Sequence, residues 1–229
     1  MGSNAGPDIV EDGLVLCLDA ANDRSYPGAG TTWTDLAGNN NGTLHNSPTF
    51  DTANAGSIVF DGTNDRVAIS LGSLPTPQNS TNFTYEAVVK FDSLGSRTIF
   101  SQEAGSGTGR IFLGVHTNSK LVTFITGSAE QPDFSALSTG TIYHVALIVS
   151  QTQLMLEPSI AIALNGVVDS IASTVIGYTG TGDINIGTEP GAGGGFLDGN
   201  VLTVRIYNRP LGEKELFQNY RAIKGRYQL

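Results

Sequence analysis

Short runs in which apolar and polar residues alternate recur along the chain, and this period of two constrains the fold more than any other feature. The clearest run covers residues 82–91. One face of it carries only apolar side chains, Phe83, Tyr85, Ala87, Val89 and Phe91. Successive side chains of a strand point to opposite sides, so this alternation predicts a half-buried β-strand. Similar runs cover residues 110–116, 141–150, 159–164 and 200–207.

An Asn165-Gly166 pair follows the run at 159–164, and another apolar stretch begins at Val167. This dipeptide between two apolar runs predicts a two-residue hairpin, because both positions of the favoured turn need a positive φ. Glycine-rich turns separate other runs, and no helical pattern lies between the strands. The sequence therefore predicts an all-β fold, a two-sheet antiparallel sandwich of the jelly-roll type.

One short helix is predicted near the C-terminus, docked on the edge of the sandwich. Its apolar stripe consists of Leu216, Phe217, Tyr220 and Ile223. Pro210 lies before this stripe and Gly225 after it, and such residues mark helix ends. Residues 1–12 contain glycine and proline and are predicted to form an extended arm. Residues 13–229 are predicted to form a single domain, a length that is common for sandwiches.

The charge balance narrows the choice of partners. The net charge is −9 and no Lys/Arg cluster provides the basic footprint that phosphates require, so nucleic acid is not an expected partner. No apolar stretch is long enough for a membrane-spanning helix, so no membrane association is expected. Residues 1–12 lack the basic and apolar regions of a signal peptide, which predicts synthesis in a cytoplasm.

Several motifs, taken in order, resemble those of laminin G-like domains of the concanavalin A-like lectin/glucanase superfamily. They are Gly56-Ser57-Ile58-Val59-Phe60-Asp61-Gly62-Thr63-Asn64-Asp65, Asn82 to Phe91, Tyr143-His144-Val145-Ala146-Leu147, Leu164-Asn165-Gly166, Phe196 to Val201 and Val204 to Leu211. Val88 stands where the family usually has Trp. The order and spacing hold over most of residues 13–224. The resemblance implies a concanavalin A-like sandwich.

A narrower resemblance concerns the N-terminal third. The segments Gly13 to Asn22, Ser25 to Gly28, Thr32 to Asn39 and Asn41 to Leu44, with Gly225-Arg226-Tyr227 at the end, look like laminin G-like proteins of tailed bacteriophages. That resemblance implies a virion component, in capsid decoration, a tail or a fibre. It also implies other virion proteins as partners, repeated copies or a homo-oligomer, and a location in the virion.

The sequence offers little for catalysis. Glycanases of this fold need paired carboxyl groups across a cleft, and the glucanase pattern Glu-x-Asp-x-x-Glu is absent. Glu86 is interpreted as an exposed partner of Lys90 or of a neighbouring strand. His45, His116 and His144 are too scattered for a zinc site. A protein that is not an enzyme is therefore expected.

Calcium is the sharpest site hypothesis, because this ion takes oxygen ligands from Asp, Asn and backbone carbonyls on turns. Asp61, Asn64 and Asp65 fall in one tight turn, and laminin G-like domains often hold calcium near one end of the sandwich. A second candidate group consists of Asp19, Asp35, Asn39 and Asn41. The alternative is that these side chains only bond their own backbone, as Asp and Asn usually do in glycine-rich turns.

Glycan binding would use an exposed aromatic platform, for which Tyr26 and Trp33 are the candidates. The alternative, which we favour, is that Trp33 plugs one end of the sandwich, because most Trp is substantially buried. The leading functional hypothesis is a non-enzymatic structural protein of a phage particle, with contact to a host surface glycan as an additional role. The alternatives are a carbohydrate-binding module and a glycan hydrolase.

Overall fold

The computed structural model describes residues 8–70, 72, 74–75, 82–103, 110–125, 128–130, 132, 134–150, 159–172, 182–189 and 195–229. Within them the strands form two eight-stranded antiparallel sheets. Sheet A contains β1 (Leu14–Asp19), β4 (Thr49–Asp51), β5 (Ser57–Asp61), β7 (Phe83–Phe91), β12 (Ile142–Ser150), β13 (Ser159–Leu164), β14 (Val167–Ala172) and β16 (Asp198–Tyr207). Sheet B contains β2 (Thr32–Trp33), β3 (Gly42–His45), β6 (Arg66–Ile69), β8 (Arg97–Glu103), β9 (Arg110–Val115), β10 (Leu121–Ile125), β11 (Ser128–Glu130) and β15 (Ile184–Ile186).

The strand order is that of a sandwich in which the chain passes repeatedly between sheets. Sheet A runs β14-β13-β12-β7-β16-β5-β4, with β1 also paired to β16, and sheet B runs β11-β10-β9-β8-β15-β6-β3-β2. The main core joins apolar side chains of both sheets, such as Phe60 and Val204 of sheet A with Val67 and Ile186 of sheet B. The predicted two-sheet antiparallel sandwich with one C-terminal helix is confirmed.

The Asn165-Gly166 hairpin forms between β13 and β14 as predicted. Asn165 has a φ of 51° and Gly166 a φ of 79°, the two positive values that the favoured two-residue turn requires. A Cβ at Gly166 would lie 3.1 Å from atoms of both Phe217 and Tyr220. Glycine is therefore required at position 166 for two reasons, the positive φ of the turn and the close contact with the helix.

Strand β7 is buried on both faces, so the prediction of a half-buried strand is wrong. Thr84, Glu86 and Val88, on the face opposite the main core, are each 0% exposed. The C-terminal helix, α1 (Glu213–Tyr227), covers that face of sheet A. The alternation predicts which side chains share a face of the strand, but it does not predict what covers the second face.

Helix α1 is longer than predicted and lies on a sheet face instead of an edge. It continues through Gly225 to Tyr227 and is capped by Gln228, which has a left-handed φ of 56°. Its buried side chains are Leu216, Asn219, Ile223 and Tyr227, while Phe217 is 49% exposed. A glycine inside a helix costs only about 1 kcal/mol, which burial of Tyr227 against Val88 and Leu202 offsets.

The described part of the predicted N-terminal arm, residues 8–12, packs against the start of α1. Val10 is buried, and its N–H donates to Asn219 Oδ1 at 2.8 Å. Gln218 Nε2 donates to the carbonyl of Asp8 at 2.8 Å, and Arg209 forms an ion pair with Asp12. Residues 1–7 lie outside the described residues. No described helix has the length and apolarity to cross a membrane.

Candidate functional site

The turn between β5 and β6 brings Asp61, Asn64 and Asp65 together, as the calcium hypothesis requires. Asp61 Oδ1 accepts a hydrogen bond from the N–H of Thr63 at 2.8 Å, and the N–H of Asn64 approaches it at 3.4 Å. Gly62 has a φ of 73°, and a Cβ there would lie 2.9 Å from the Cβ of Asp198. The turn thus folds on its own backbone, in the way that the alternative interpretation describes.

Asp65 is the unusual member of this turn. It is 4% exposed, and its Oδ2 accepts a hydrogen bond from the N–H of Asp61 at 3.1 Å. Its other oxygen, Oδ1, is buried and has no hydrogen-bond partner. Burial raises the pKa of Asp65 above its ordinary value, and the charge of Asp61 adds to the shift while the backbone hydrogen bond opposes it. This oxygen is the one feature of the turn that a cation would improve.

A third aspartate, which the sequence analysis did not include, lies beside the turn. Asp198 begins β16 and pairs with Asp61 across the two strands. Its Oδ2 forms a hydrogen bond with Ser93 Oγ, which also accepts a hydrogen bond from Arg97 Nη2 at 2.6 Å. Only the strand pairing, which no local pattern encodes, brings Asp198 to residue 61.

The donor set of this turn fits calcium only in part. Calcium takes about six to eight oxygen ligands. In this turn, Asp61 Oδ1 and Asp65 Oδ2 already accept hydrogen bonds from backbone N–H groups. In the part of the chain that the structure describes, no three His, Cys, Asp or Glu side chains form a group that could hold a metal ion. Calcium at Asp61, Asn64 and Asp65 therefore stays a prediction that depends on the single oxygen Asp65 Oδ1.

In the second candidate group for calcium, the two aspartates make separate structural contacts. Asp19 forms a two-bond ion pair with Arg226 at 2.7 and 2.9 Å. Asp35 Oδ1 accepts hydrogen bonds from the N–H groups of Cys17 and Ala37, both at 2.9 Å. Asn41 Oδ1 accepts from the N–H of Asp35.

Asp19 and Asp35 are therefore poor candidates for ligands of one shared ion. The carboxylate of Asp19 is held by helix α1, and that of Asp35 by the loop that it closes. Asn39 is exposed. The structure joins Asn41 to Asp35 and holds Asp19 against Arg226.

Tyr26 and Trp33 do not form the exposed platform that glycan binding would need, because both rings are buried. Tyr26 is 3% exposed and donates its hydroxyl hydrogen bond to the carbonyl of Gly30 at 2.9 Å. Trp33 is 0% exposed and belongs to the main core. This is the location that the favoured alternative gives to Trp33, at the end of sheet B where β2 pairs with β3.

The interpretation of Glu86 as an exposed residue is wrong, because Glu86 is 0% exposed and lies beneath helix α1. Its Oε1 accepts a hydrogen bond from Arg205 Nη1 at 2.7 Å and lies 3.0 Å from His144 Nε2. Its Oε2 accepts from Asn219 Nδ2 at 2.8 Å. We call Glu86, His144, Arg205 and Asn219 the subhelical cluster.

Charges and hydrogen bonds within the subhelical cluster keep Glu86 ionised. Burial acts to raise the pKa of Glu86, but His144, Arg205 and Asn219 outweigh it through charge and hydrogen bonds and lower the pKa to about 2. The carboxylate of Glu86 in turn raises the pKa of Arg205. The Tyr207 hydroxyl oxygen lies 3.0 Å from Asn219 Nδ2, and burial raises the pKa of Tyr207 as well.

Because the Asn219 amide nitrogen is the donor, the Tyr207 oxygen is the acceptor in this contact. Glu86 is therefore an anion whose oxygens are all occupied at neutral pH. Sequence analysis missed the cluster because its four members come from β7, β12, β16 and α1, far apart along the chain.

A family model described as "Concanavalin A-like lectin/glucanases superfamily", one of the laminin G models, matches residues 61–217. No curated protein sequence matches the chain. Solved structures with the same fold include a Trypanosoma rangeli sialidase in complex with the inhibitor DANA, at 17% identity and a TM-score of 0.68. The match covers 96% of this chain but 36% of the sialidase chain, so the chain spans about a third of that enzyme.

Two smaller proteins have a similar fold. Domain 4 of AbnA, a GH43 extracellular arabinanase from Geobacillus stearothermophilus, is in complex with arabinotriose and is 16% identical, with a TM-score of 0.66. That match covers 90% of this chain and 98% of the domain. The binding domain of botulinum neurotoxin DC, in complex with rat synaptotagmin II, is 13% identical, with a TM-score of 0.67 and coverage of 93% and 52%. At these identities the similarity shows the fold alone.

Proposed function

Since the chain belongs to the concanavalin A-like lectin/glucanases superfamily, we propose that it is a non-enzymatic structural domain of a tailed-phage virion. In this role it attaches to the capsid, tail or fibre and presents its surface to other virion proteins. The phage part of the proposal depends on the motifs of the N-terminal third. The non-enzymatic part depends on one observation, the state of Glu86.

Glu86 supports a structural role because it has neither the access nor the protonation behaviour that glycan hydrolysis needs. A hydrolase of this superfamily uses two carboxyl groups that both reach the substrate, one of them as a proton donor. Glu86 is fully buried, and its lowered pKa of about 2 keeps it ionised at neutral pH. The contacts of Glu86 favour a structural role instead, in which its carboxylate holds helix α1 on sheet A through Asn219.

The virion proposal is tested on purified particles of the phage that encodes the chain. We expect quantitative mass spectrometry to find this protein in particles purified through two successive density gradients, at a constant ratio to the major capsid protein. Host cytoplasmic proteins measured in the same fractions are the control. Detection only in infected-cell lysate, with loss from particles at the second gradient, would contradict the proposal.

A second candidate function is carbohydrate binding, and the similarity to domain 4 of AbnA favours it. That domain is in complex with arabinotriose, and nearly all of it aligns with this chain. Binding to a host surface glycan is compatible with a place in the virion. Tyr26 and Trp33 are buried, so a glycan would be bound by other residues.

Glycan binding is tested with a glycan array and with arabinotriose in solution, each with and without calcium. We expect binding of at least one glycan and no release of shorter products from it. An array without hits in both conditions would remove this candidate and leave the virion proposal intact. Turnover that persists in Glu86→Gln would identify an enzyme with other catalytic groups, and turnover that is lost would return Glu86 to the list of catalytic candidates.

A further inference from the structure

The outward side of helix α1 carries two aromatic rings, each with a cation four positions further along the helix. The guanidinium of Arg221 lies 6.0 Å from the ring centre of Phe217, and Lys224 Nζ lies 5.7 Å from that of Tyr220. The centres of the two rings are 6.4 Å apart, and Phe217 is 49% exposed. Side chains three and four positions apart are neighbours on a helix, so these four form one surface. We call Phe217, Tyr220, Arg221 and Lys224 the outer helix face.

Both cations of the outer helix face are exposed and available to a ligand. Among the described residues, neither Arg221 nor Lys224 forms an ion pair with a carboxylate, whereas Arg209 and Arg226 each do. Helix α1 has no acidic residue after Glu215. A contact with an aromatic ring leaves the charge of a cation uncancelled. The face therefore presents free positive charge on a chain whose net charge is −9.

The combination of rings and cations selects the chemistry of the occupant. An exposed aromatic ring is a flat apolar surface that suits the C–H face of a sugar ring, and a guanidinium binds a carboxylate through two parallel hydrogen bonds. From Phe217 to Lys224, about 10 Å of helix, there are two cations. Duplex DNA presents a charge about every 1.7 Å and requires a denser cation array, and a lipid surface requires a broader apolar stripe. An acidic sugar, with one ring and one carboxylate in each unit, matches the face.

We propose that the outer helix face binds an acidic glycan, a chain of uronic acids or similar sugars that carry a carboxylate on the ring. One sugar packs on Phe217 with its carboxylate on Arg221, and the next carboxylate lies at Lys224. The inference rests on glycan binding, the second candidate function, and deepens it. It names the sugar class and supplies exposed binding residues in place of the buried Tyr26 and Trp33. Because the rest of the chain is acidic, a polyanion should bind at this face and not elsewhere.

Calorimetric titration of the full chain with oligogalacturonate, an oligomer of a uronic acid, tests this site. The wild type should bind it more tightly than the neutral arabinotriose. Phe217→Ser should weaken binding by about tenfold, as for a central aromatic contact, and Arg221→Gln should weaken it by about tenfold through the loss of charge-assisted hydrogen bonds. Phe217→Tyr, which keeps the ring, should bind as the wild type does. Raising the salt concentration from about 50 to about 200 mM should weaken binding by about tenfold, because two cations exchange counterions.

Matched variants away from the helix are the controls. Leu36→Ser removes another exposed apolar side chain, and Arg66→Gln removes a cation of β6 in sheet B. Both should leave binding unchanged, and unfolding midpoints check that every variant folds.

Three results would overturn the inference. They are no binding of oligogalacturonate, binding that Phe217→Ser and Arg221→Gln leave unchanged, and equally tight binding of polyglutamate or duplex DNA, which would mean that charge alone is recognised. Hits for neutral glycans alone on the glycan array would also contradict an acidic ligand, yet they would leave the carbohydrate-binding candidate intact. Incorporation into virions is measured separately, so each proposal can fail without the others.

Discussion

Glu86 and Asp65 are both buried carboxylates, yet their surroundings give them opposite properties. Glu86 is contacted by Arg205, His144 and Asn219, and its pKa is lowered to about 2. Asp65 has one hydrogen bond from the backbone and one oxygen without a partner, and its pKa is raised. Burial acts in the same direction on both, so the difference comes from the fixed partners. A buried acid is a structural ion where its partners are complete and a candidate cation ligand where they are not.

The largest expected effect comes from removing the main counter-charge of Glu86. Arg205→Met should lower the free energy of unfolding by about 3–5 kcal/mol, because it leaves a buried carboxylate without its guanidinium. Denaturant titration at neutral pH measures the change.

The double variant Glu86→Gln/Arg205→Met is the control for this experiment. It should recover a large part of the loss, because removing both charges avoids an unpaired one. A double variant that is less stable than Arg205→Met would contradict the assignment of the pair.

The stability of the fold at low pH should depend on the same carboxylate, Glu86. The folded-state pKa of Glu86 is about 2, below its ordinary value of 4.5. Its contribution to stability is therefore fully present above pH 4.5 and is lost as the pH falls toward 2. The difference in stability between wild type and Glu86→Gln should shrink over this window by roughly 3 kcal/mol. A difference that stays constant down to pH 2 would show that Glu86 has an ordinary pKa.

Asn219 joins the N-terminal segment, the helix and the subhelical cluster. Asn219→Leu should cost about 1–3 kcal/mol, because the Val10 N–H, Glu86 Oε2 and the Tyr207 hydroxyl each lose a buried partner. Gln218→Ala, at the next position, removes one hydrogen bond to the carbonyl of Asp8 and should cost less than about 0.5 kcal/mol. Equal losses in thermal unfolding would contradict a special role for Asn219.

Calcium should act on the other carboxylate. We propose that Asp65 Oδ1 binds calcium together with Asp61 and Asn64. With a dissociation constant of about 1 mM, about 5 mM calcium would stabilise the fold by roughly 1 kcal/mol. A rise in melting temperature with calcium but not magnesium, absent in Asp65→Asn, would support this. No heat in calorimetric titration and no melting shift would remove the site.

The smallest effect is expected for Asp65→Asn without added metal. The amide keeps an acceptor for the Asp61 N–H and removes a charge that burial disfavours. The stability at neutral pH should therefore change by less than about 0.5 kcal/mol or rise. A loss comparable to that in Arg205→Met would mean that Asp65 has a hidden positive partner.

Local patterns predicted the parts of the fold that depend on neighbours in sequence. The run at 82–91 became β7, and Asn165-Gly166 formed its turn. The same alternation could not show that α1 covers Thr84, Glu86 and Val88. Hydrophobic periodicity placed Phe217 on the buried stripe of α1, whereas the structure buries Asn219 there, because Glu86 requires a polar partner.

The candidate sites show the same limit. The Asp61–Asp65 turn was predictable because its members lie within five positions of each other. Asp198 beside it, and Arg205 beside Glu86, were not predictable, because strand pairing over more than a hundred residues brings them there. Burial of Trp33 was the favoured interpretation, because most Trp is substantially buried, whereas the burial of Tyr26 depends on packing that its polar neighbours in sequence do not indicate.

The hydrogen bond from Val10 to Asn219 spans 209 positions, and this has a consequence for how the protein is made. On a ribosome, β7 emerges well before β16 and α1, so Glu86 must wait in water for Arg205 and Asn219. The outer side of sheet A can dehydrate only after helix α1 has been released. Any truncation before residue 219 would leave both the first described residues and the central strand without their last partner, so this layer closes only once α1 has been made.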